Sequence, residues 1–330
     1  MHTSVTVIGG GSFATALVKI FSNNATHIFW WLRNEYTVSF IKKYGHNPTY
    51  LTDAQIDISK VHVTANLTEA VAASNIIVLA IPSAFVAETL ASIDLSLLKG
   101  KIIVSGIKGI VPQHNLIVGE YLHQLLQIPY NQIAVITGPC HAEEIALERL
   151  SYLTVASQNE NLNQNLQQLM QCRYLRITQS DDIYGTEYSA VMKNIMAIAS
   201  GICHALNYGD NFQAVLISNA CREIKRFIDV VHPVKRDIND SAYLGDLLVT
   251  AYSKFSRNRM FGNMLGKGYS VKVAQLEMNM IAEGYFAAKC IDEINRQAQA
   301  HLPICKAVYR ICYEKMAPAV EIKLLTDQLN

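Results

Sequence analysis

A single lysine stands in a long apolar stretch of the sequence. Between Tyr188 and Leu206 the only formal charge is Lys193, and most other residues are Ala, Ile, Val, Met or Leu. Because apolar residues lie on all sides of the pattern, it predicts a helix buried between other elements. Burial disfavours a charged ammonium unless an anion balances it. Lys193 is therefore either a proton donor or anion-binding group in a cleft, or a lysine whose ammonium reaches water along an apolar surface.

A glycine-rich turn near the N-terminus has the pattern of a dinucleotide-binding loop. The β-branched run Val5–Ile8 is followed by GGGSFA (Gly9–Ala14) and then by a helical pattern. Gly9 would permit a tight turn, Gly11 would let the backbone approach a pyrophosphate, and Ala14 would let the helix pack on the strand. The anion would lie at the helix N-terminus, where free N–H groups and the helix dipole favour it.

An arginine follows the second predicted strand, where NAD-preferring sites usually carry an acidic residue. The strand covers Ile28–Leu32, and Arg33 comes next. Arginine suits a ribose 2′-phosphate or stacks on adenine, although an ordinary loop arginine is the alternative. The sequence therefore predicts that NADPH is at least tolerated beside NADH.

Three further segments place reactive side chains at turns or helix starts. Lys108 follows a strand end in a glycine-flanked loop, and Asp246 lies in the apolar segment Tyr243–Thr250. Ser256–Arg259 brings several hydrogen-bond donors to the start of a predicted helix. An arginine beside helix N–H groups suits a phosphate, whereas an N-cap or a surface ion pair is the alternative for the last two segments.

Cys140 and His141 stand side by side in the segment Gly138–Glu144. A cysteine nucleophile with a histidine base would need the two side chains to face each other, which adjacent residues rarely do. The segment is better interpreted as a turn that enters a helix near a cofactor.

Strands alternate with helices in the first half of the chain, and only helical patterns follow Asp181. This order predicts an α/β fold with a mostly parallel sheet, followed by an all-α domain, and we place the domains at residues 1–180 and 181–330. The predicted strands are Val5–Ile8, Ile28–Leu32, Val61–Ala65, Asn75–Ile81, Lys101–Ser105, Ile133–Thr137, Leu153–Ser157 and Tyr174–Ile177. The predicted helices of the second domain are Thr186–Leu206, Asn211–Val231, Ser241–Phe255, Arg257–Leu265, Val271–Ala300 and Pro303–Lys315.

Composition narrows the class of protein. The 330 residues include 28 Lys plus Arg against 27 Asp plus Glu, a balance that gives no electrostatic reason to expect nucleic acid as a partner. Seven scattered cysteines without a CxxC pair indicate reduced thiols and no metal site. The chain enters a strand directly, and Lys193 and Asn194 interrupt its most apolar stretch. We therefore expect no signal sequence, no integral membrane segment and a cytoplasmic location.

Eight motifs together resemble NAD(P)-dependent glycerol-3-phosphate dehydrogenase of the bacterial type. They occur in the family's order and span nearly the whole chain. They are GGGSFATAL (Gly9–Leu17), HNPTYL (His46–Leu51), SGIKGI (Ser105–Ile110), GPCHAEE (Gly138–Glu144), VMKNIMAIASGI (Val191–Ile202), LGDLLVT (Leu244–Thr250), SRNRMFG (Ser256–Gly262) and AEG (Ala282–Gly284).

The resemblance implies an N-terminal Rossmann domain, a helical C-terminal domain and an active site between them. It implies interconversion of dihydroxyacetone phosphate and sn-glycerol 3-phosphate with NAD or NADP, which supplies glycerol 3-phosphate for phospholipid synthesis. Its implied catalytic residues are Lys193 as general acid and base, Lys108 and Asp246. The implied substrate contacts are Lys108, Gly138, Cys140, Lys193, Asp246, Thr250, Ser256, Arg257 and Asn258. The implied cofactor contacts are Ser12, Phe13, Arg33, Lys108, Ala142, Arg257, Ile281 and Glu283, which join Gly9 and Gly11.

The chain departs from the family's usual pattern at Ala14, where the glycine loop often ends in Gly, and in two longer segments. Members usually have GPSFA where this chain has Gly138–Ala142, and ITRG where it has Ile217–Ala220. The departure at Ile217–Ala220 removes a basic residue and a glycine, which calls nearby helix packing and cofactor contacts into question. Two other functions therefore stay open: a non-catalytic NAD(P)-binding redox sensor, and a related two-domain reductase of another keto or hydroxy acid. The sequence leaves the oligomeric state open, a homodimer included.

Overall fold

The computed structural model describes residues 3–278 and 281–330, which form two compact units. Unit 1 comprises the residues up to Ile107 together with Val118–Ile183. Unit 2 comprises Lys108–Ile117 together with Tyr184–Asn330. A single boundary near residue 180 was expected, but the short segment Lys108–Ile117 belongs with the helices of unit 2.

Ten strands are present among the described residues, and eight of them form the sheet of unit 1. All eight strands of this sheet were predicted. The strands are β1 Ser4–Ile8, β2 His27–Trp31, β3 Val61–Thr64, β4 Ile76–Leu79, β5 Ile102–Ser105, β6 Ile110–Val111, β7 Leu116–Ile117, β8 Ile133–Thr137, β9 Ser151–Ala156 and β10 Leu175–Ser180.

The sheet of unit 1 has the strand order β10-β9-β8-β5-β4-β1-β2-β3. From β3 to β8 all neighbours are parallel, while β9 runs antiparallel to β8 and β10 parallel to β9. Strand β1 lies between β2 and β4, and its Val5 and Val7 are fully buried, as expected for a strand covered on both faces. Ligands bind at the carboxyl ends of such strands, where β1 leads into the glycine loop. The mostly parallel Rossmann-type sheet is confirmed.

Seven helices connect the strands of unit 1, and eight helices make up most of unit 2, counted over the described residues. Those connecting the strands are α1 Ser12–Phe21, α2 Glu35–Tyr44, α3 Leu67–Ala72, α4 Val86–Ala91, α5 Val118–Gln124, α6 Ala142–Ala146 and α7 Glu160–Met170. The others are α8 Ile183–Ala205, α9 Asp210–Val231, α10 Asp246–Tyr252, α11 Arg257–Gly266, α12 Val271–Glu277, α13 Glu283–Ala298, α14 Pro303–Tyr313 and α15 Pro318–Thr326.

Helix α8 is the buried centre of unit 2, as its all-round apolar pattern predicts. Its Ile195, Ile198 and Ile202 are fully buried in one hydrophobic cluster with residues of the surrounding helices. Helix α11 packs against it backbone to backbone. A Cβ on Gly201 would lie 2.1 Å from the carbonyl oxygen of Arg259, and one on Gly262 would lie 2.0 Å from that of Ile198. This close approach brings the start of α11 beside the part of α8 that carries Lys193.

The helical predictions for unit 2 need two corrections. The segment Val271–Ala300 was expected to be one helix, but α12 ends at Glu277 and α13 begins at Glu283. Residues 279 and 280 of that expected helix lie outside the described residues. The segment Ser241–Phe255 was also expected to be one α-helix, but it opens with a π-helical turn over Ser241–Gly245 before α10. The pattern also missed α15 and the hairpin of β6 and β7.

The helices in the described ranges 3–278 and 281–330 include none that is both long and apolar enough to cross a bilayer. In the same ranges no cluster of three or more His, Cys, Asp or Glu side chains could hold a metal ion.

Candidate functional site

The glycine loop of unit 1 has the conformation that its sequence predicts. Gly9 has φ +138°, and a Cβ at this position would lie 2.2 Å from the carbonyl oxygen of Ala80. Only glycine fits such a turn without displacing the neighbouring strand end. By contrast, a Cβ on Gly11 would meet no atom of the described residues within 4 Å. The backbone at Gly11 is therefore accessible to a ligand.

The predicted cofactor contacts beside this loop lie at the start of α1 and at the end of β2. Ser12 and Phe13 are the first two residues of α1, whose first turn carries no acidic side chain. Arg33 is exposed and stands directly before α2, which Asn34 caps by accepting a hydrogen bond from the Thr37 N–H. The end of β2 thus presents a cation at the position where an acid would favour NAD.

The segment after β8 forms the predicted turn into a short helix. Gly138 has φ +108°, and a Cβ there would lie 3.3 Å from the backbone nitrogen of Thr154 on β9. Cys140 and His141 are both half-buried, His141 is the N-cap residue of α6, and Ala142 begins that helix. The structure therefore agrees with a helix-entry turn at this place.

In unit 2, two lysines share one buried carboxylate. Lys193 lies inside α8 with 3% of its surface exposed, and its ammonium forms an ion pair with Asp246 Oδ1. Lys108 Nζ lies 3.2 Å from Asp246 Oδ2. Asp246 begins α10 and is only 1% exposed, so both of its oxygens are used inside the protein. These are the three residues expected to be catalytic, and the structure places them in contact.

Burial controls the protonation of Lys193. Removal of the ammonium from water lowers the pKa of Lys193 to about 7. The carboxylate of Asp246 raises that pKa and the ammonium of Lys108 lowers it, both by less than the burial does. Lys193 can therefore both release and accept a proton near neutral pH.

An amide chain that the sequence did not reveal links this cluster to the start of α11. Asn194 Nδ2 donates to the carbonyl oxygen of Lys108 at 2.7 Å, and Asn258 Nδ2 donates to Asn194 Oδ1 at 2.9 Å. The backbone N–H of Gly284 in turn donates to Asn258 Oδ1 at 2.9 Å. The loop of Lys108, helix α8 and the starts of α11 and α13 are thus tied together. Asn194 follows Lys193 directly in the sequence, and that adjacency was the only available signal for its role.

The remaining predicted residues of unit 2 surround the same helix starts. Thr250 is buried and its hydroxyl donates to the carbonyl oxygen of Asp246 at 2.6 Å. Ser256 is the N-cap of α11 and accepts a hydrogen bond from the Arg259 N–H, so the alternative of an N-cap role applies to it. Arg257 is the first residue of α11 and is half-buried. Ile281 and Glu283 are half-buried, and Glu283 begins α13.

The departure at Ile217–Ala220 lies within helix α9. Asn219 is half-buried on α9, where its Nδ2 donates to the carbonyl oxygens of Val215 and Asn330. Ala220 is fully buried in the hydrophobic cluster of unit 2. The substitution therefore leaves the packing of α9 in place.

Comparison with known proteins identifies the family. The model for the N-terminus of NAD-dependent glycerol-3-phosphate dehydrogenase matches residues 4–163, and the model for its C-terminus matches residues 182–323. The curated glycerol-3-phosphate dehydrogenase [NAD(P)+] of Staphylococcus carnosus is 32% identical over 98% of this chain and 97% of its own length. The chain belongs to the NAD(P)-dependent glycerol-3-phosphate dehydrogenase family.

Other members of this family are similar along their whole length. The enzyme of the same name from Staphylococcus aureus is 31% identical over 99% of this chain and 98% of its own. The crystal structure of glycerol-3-phosphate dehydrogenase from Coxiella burnetii superposes with a TM-score of 0.91 at 27% identity, and covers 98% of each chain.

Proposed function

We propose that this chain catalyses the reversible reduction of dihydroxyacetone phosphate to sn-glycerol 3-phosphate with NADH or NADPH. The observation that carries the proposal is the buried Lys193, whose pKa lies near 7 and whose carboxylate partner is shared with Lys108. Reduction of a ketone needs a proton at the carbonyl oxygen, and Lys193 is the general acid that can donate it.

The residues of unit 1 fit a dinucleotide. Gly9 leaves no room for a side chain at the turn, and Gly11 leaves open space in front of the backbone. The first turn of α1 offers backbone N–H groups and no acidic side chain, which suits a pyrophosphate. A nicotinamide bound there would supply the hydride for the ketone carbon. Ser12, Phe13, Arg33 and Ala142 are the other residues of unit 1 that we assign to cofactor contacts.

Lys193 acts as the general acid in the reductive direction. As ammonium it donates a proton to the oxygen of the substrate carbonyl while negative charge develops there. In the oxidative direction the neutral amine takes that proton back. Asp246 keeps the ammonium oriented, and Lys108 places a second positive charge at the same carboxylate, which lowers the pKa of Lys193.

The substrate phosphate is assigned to the N-terminus of α11. Arg257 lies in the first turn there and can form two parallel hydrogen bonds to a phosphate. Asn258 donates one N–H of its amide to Asn194, which leaves the second donor of that amide for a phosphate oxygen. Gly138, Cys140, Thr250 and Ser256 are the further substrate contacts of this proposal, and Arg257, Ile281 and Glu283 also face the cofactor in it.

The proposal includes a biological setting. The reductive direction would supply glycerol 3-phosphate for phospholipid synthesis in the cytoplasm, and the chain would work alone or as a homodimer. The named relatives support the reaction, whereas the location and the oligomeric state rest on the sequence argument alone.

Absorbance of the reduced nicotinamide tests the reaction directly. Purified protein with NADH, and separately with NADPH, should consume the cofactor when dihydroxyacetone phosphate is added. The matched control is dihydroxyacetone, which lacks only the phosphate that α11 is assigned to bind. Equal rates with both ketones would favour a reductase of another substrate, and cofactor binding without any turnover would favour the redox sensor.

Cofactor choice is tested at Arg33. Arg33→Ala removes the only cation proposed to face a ribose 2′-phosphate, so KM for NADPH should rise about tenfold while KM for NADH changes less. Arg173→Ala, which removes another exposed arginine of unit 1, serves as the control. Equal effects of Arg33→Ala on both cofactors would show that this side chain does not read the 2′-phosphate.

A further inference from the structure

The three carbonyl groups of the glycine loop all accept hydrogen bonds from side chains. Trp30 Nε1 donates to the Gly9 carbonyl oxygen at 2.7 Å, and Asn47 Nδ2 donates to that of Gly10 at 3.0 Å. The hydroxyl of Thr15 and its backbone N–H both donate to the Gly11 carbonyl oxygen at 3.0 Å. Three consecutive acceptors of the loop are therefore fixed by three different side chains.

This arrangement determines where the amide hydrogens point. In a planar trans peptide the carbonyl and the following N–H point in opposite directions. The N–H groups of Gly10, Gly11 and Ser12 therefore point away from Trp30, Asn47 and Thr15. Within the described ranges of the chain these three N–H groups donate to no protein acceptor. A loop held in this way is ready to receive an anion.

Asn47 is the most heavily bonded of the three supports. It is fully buried, and its Nδ2 donates to both the Gly10 carbonyl oxygen and Thr15 Oγ1 at 3.0 Å. Its Oδ1 accepts from the backbone N–H groups of Thr49 and Tyr50 at 3.0 and 3.1 Å. These four bonds use the whole capacity of an amide side chain, so the group has a single orientation.

We propose that Asn47 is a positioning residue that orients the glycine loop for the pyrophosphate of NAD(P)H. This inference rests on the proposed function, since it assigns the pyrophosphate to that loop. Asn47 itself does not touch the cofactor in this proposal. It acts through the carbonyl of Gly10 and the hydroxyl of Thr15, and so keeps the amide hydrogens directed at the bound diphosphate.

The substitution Asn47→Asp separates the acceptor role of the Asn47 amide from its donor role. Asn47→Asp keeps the acceptor for the N–H groups of Thr49 and Tyr50, but places an acceptor oxygen against the Gly10 carbonyl oxygen. Two facing acceptors repel each other, so the peptide after Gly10 should turn away from its present direction. The segment that follows Asn47 should stay in place, whereas the loop should not.

The matched control is Asn163→Asp in the same unit. Asn163 is also a buried asparagine whose Nδ2 donates to two backbone carbonyls, those of Ser157 and Ser180, both at 2.9 Å. The two variants thus carry the same change of atoms, and each loses two hydrogen bonds donated by Nδ2. Only the variant at Asn47 should alter cofactor binding.

The experiment measures the dissociation constants of NADH and of ADP-ribose, which shares the diphosphate and lacks the nicotinamide, by titration calorimetry. We expect both constants to rise tenfold or more in Asn47→Asp and to stay within twofold of wild type in Asn163→Asp. In steady-state assays KM for NADH should rise, while kcat at saturating NADH and KM for dihydroxyacetone phosphate change little.

A second variant keeps the test valid if Asn47→Asp does not fold. Thr15→Val keeps the shape of the side chain and removes the hydroxyl that Asn47 and Gly11 both use. It should raise the same dissociation constants by a smaller factor, about threefold. Wild-type affinity for NADH in Asn47→Asp, or an equal loss in Asn163→Asp, would overturn the inference. Failure of the wild-type protein to bind NADH or NADPH would instead overturn the proposed function.

Discussion

The glycine loop of unit 1 is held by neutral hydrogen bonds, whereas the cluster of unit 2 is built from charges. In the loop, Trp30, Asn47 and Thr15 fix the backbone, and backbone N–H groups are the binding elements. In the cluster, the half-buried Lys108 and the buried Lys193 meet at the buried carboxylate of Asp246. Affinity for the cofactor should therefore depend on backbone geometry, and turnover should depend on protonation.

The largest expected effect separates turnover from cofactor binding. Lys193→Ala should lower kcat by roughly 10²–10⁴-fold, because the proton donor is lost, and should leave the dissociation constant of NADH unchanged. Lys193→Arg keeps a positive charge that does not leave at neutral pH, and it should be nearly as slow. Near-normal turnover in Lys193→Ala would show that Lys193 is not the proton donor.

Substitutions at two glycines should have the converse effect, a loss of affinity for NADH. The methyl group of Gly11→Ala meets no atom of the residues that the structure describes, so the melting temperature should stay near that of wild type. Affinity for NADH should fall about tenfold, because the methyl group occupies ligand space. Gly9→Ala collides with the Ala80 carbonyl at positive φ, so it should lower both stability and affinity. If Gly11→Ala bound NADH like wild type, the backbone at Gly11 would not approach the cofactor.

Turnover and NADH binding should also differ in their dependence on pH. Since the pKa of Lys193 lies near 7, reduction of the ketone needs the protonated form and should slow as pH rises above 7. Oxidation of glycerol 3-phosphate needs the neutral amine, so its rate should rise with pH up to about 7 and then level. The dissociation constant of NADH, measured over the same range, should stay flat because the loop is held by uncharged groups. Parallel pH profiles for both reaction directions would contradict the assignment.

The last expected effect concerns stability rather than binding or turnover. Glu223 is buried on α9 and accepts the N–H groups of Ile304 and Cys305 at the start of α14, and its burial raises the pKa of Glu223 to about 7. The folded state therefore holds this proton more tightly than the unfolded state. Its stabilising effect is complete below pH 4.5 and is lost as pH rises through 7, by at most about 3 kcal/mol.

Urea unfolding at pH 5 and pH 8 checks this prediction. The fall in unfolding free energy between the two pH values should be smaller in Glu223→Gln, whose amide oxygen still accepts an N–H but does not titrate. Glu277→Gln, which changes an exposed residue, should follow the wild type. An equal fall in unfolding free energy between pH 5 and pH 8 in Glu223→Gln and in wild type would show that the Glu223 carboxyl does not titrate in that range.

The sequence predicted the regular elements well because their signals are local. Most strands of the eight-stranded sheet are runs rich in apolar and β-branched residues, and α8 shows its burial by apolar residues on all sides. The two-residue strands β6 and β7 were not predicted, because two residues are too few to show the alternation of apolar and polar side chains that marks a strand. The break between α12 and α13 escaped because apolar residues continue through it.

Lys108, Lys193 and Asp246 were expected to lie together, and they do, but only the family resemblance brought them together beforehand. Asn47 and Asn194 lie in two of the family motifs, but the resemblance implied no role for either, since an asparagine shows nothing in sequence about partners as distant as 37 and 86 residues. Their importance follows from how many hydrogen bonds each amide makes and with which partners, and only the folded structure shows this.

The hairpin of β6 and β7 has a consequence for synthesis of the chain. Its Ile110 and Ile117 are buried against helices of unit 2, and its Asn115 donates to Glu293, 178 residues further along. At about 5–20 residues per second, a ribosome needs roughly ten to forty seconds to make that partner. During this interval the helices that cover the hairpin in the folded protein are absent, so its apolar side chains should stay exposed to water.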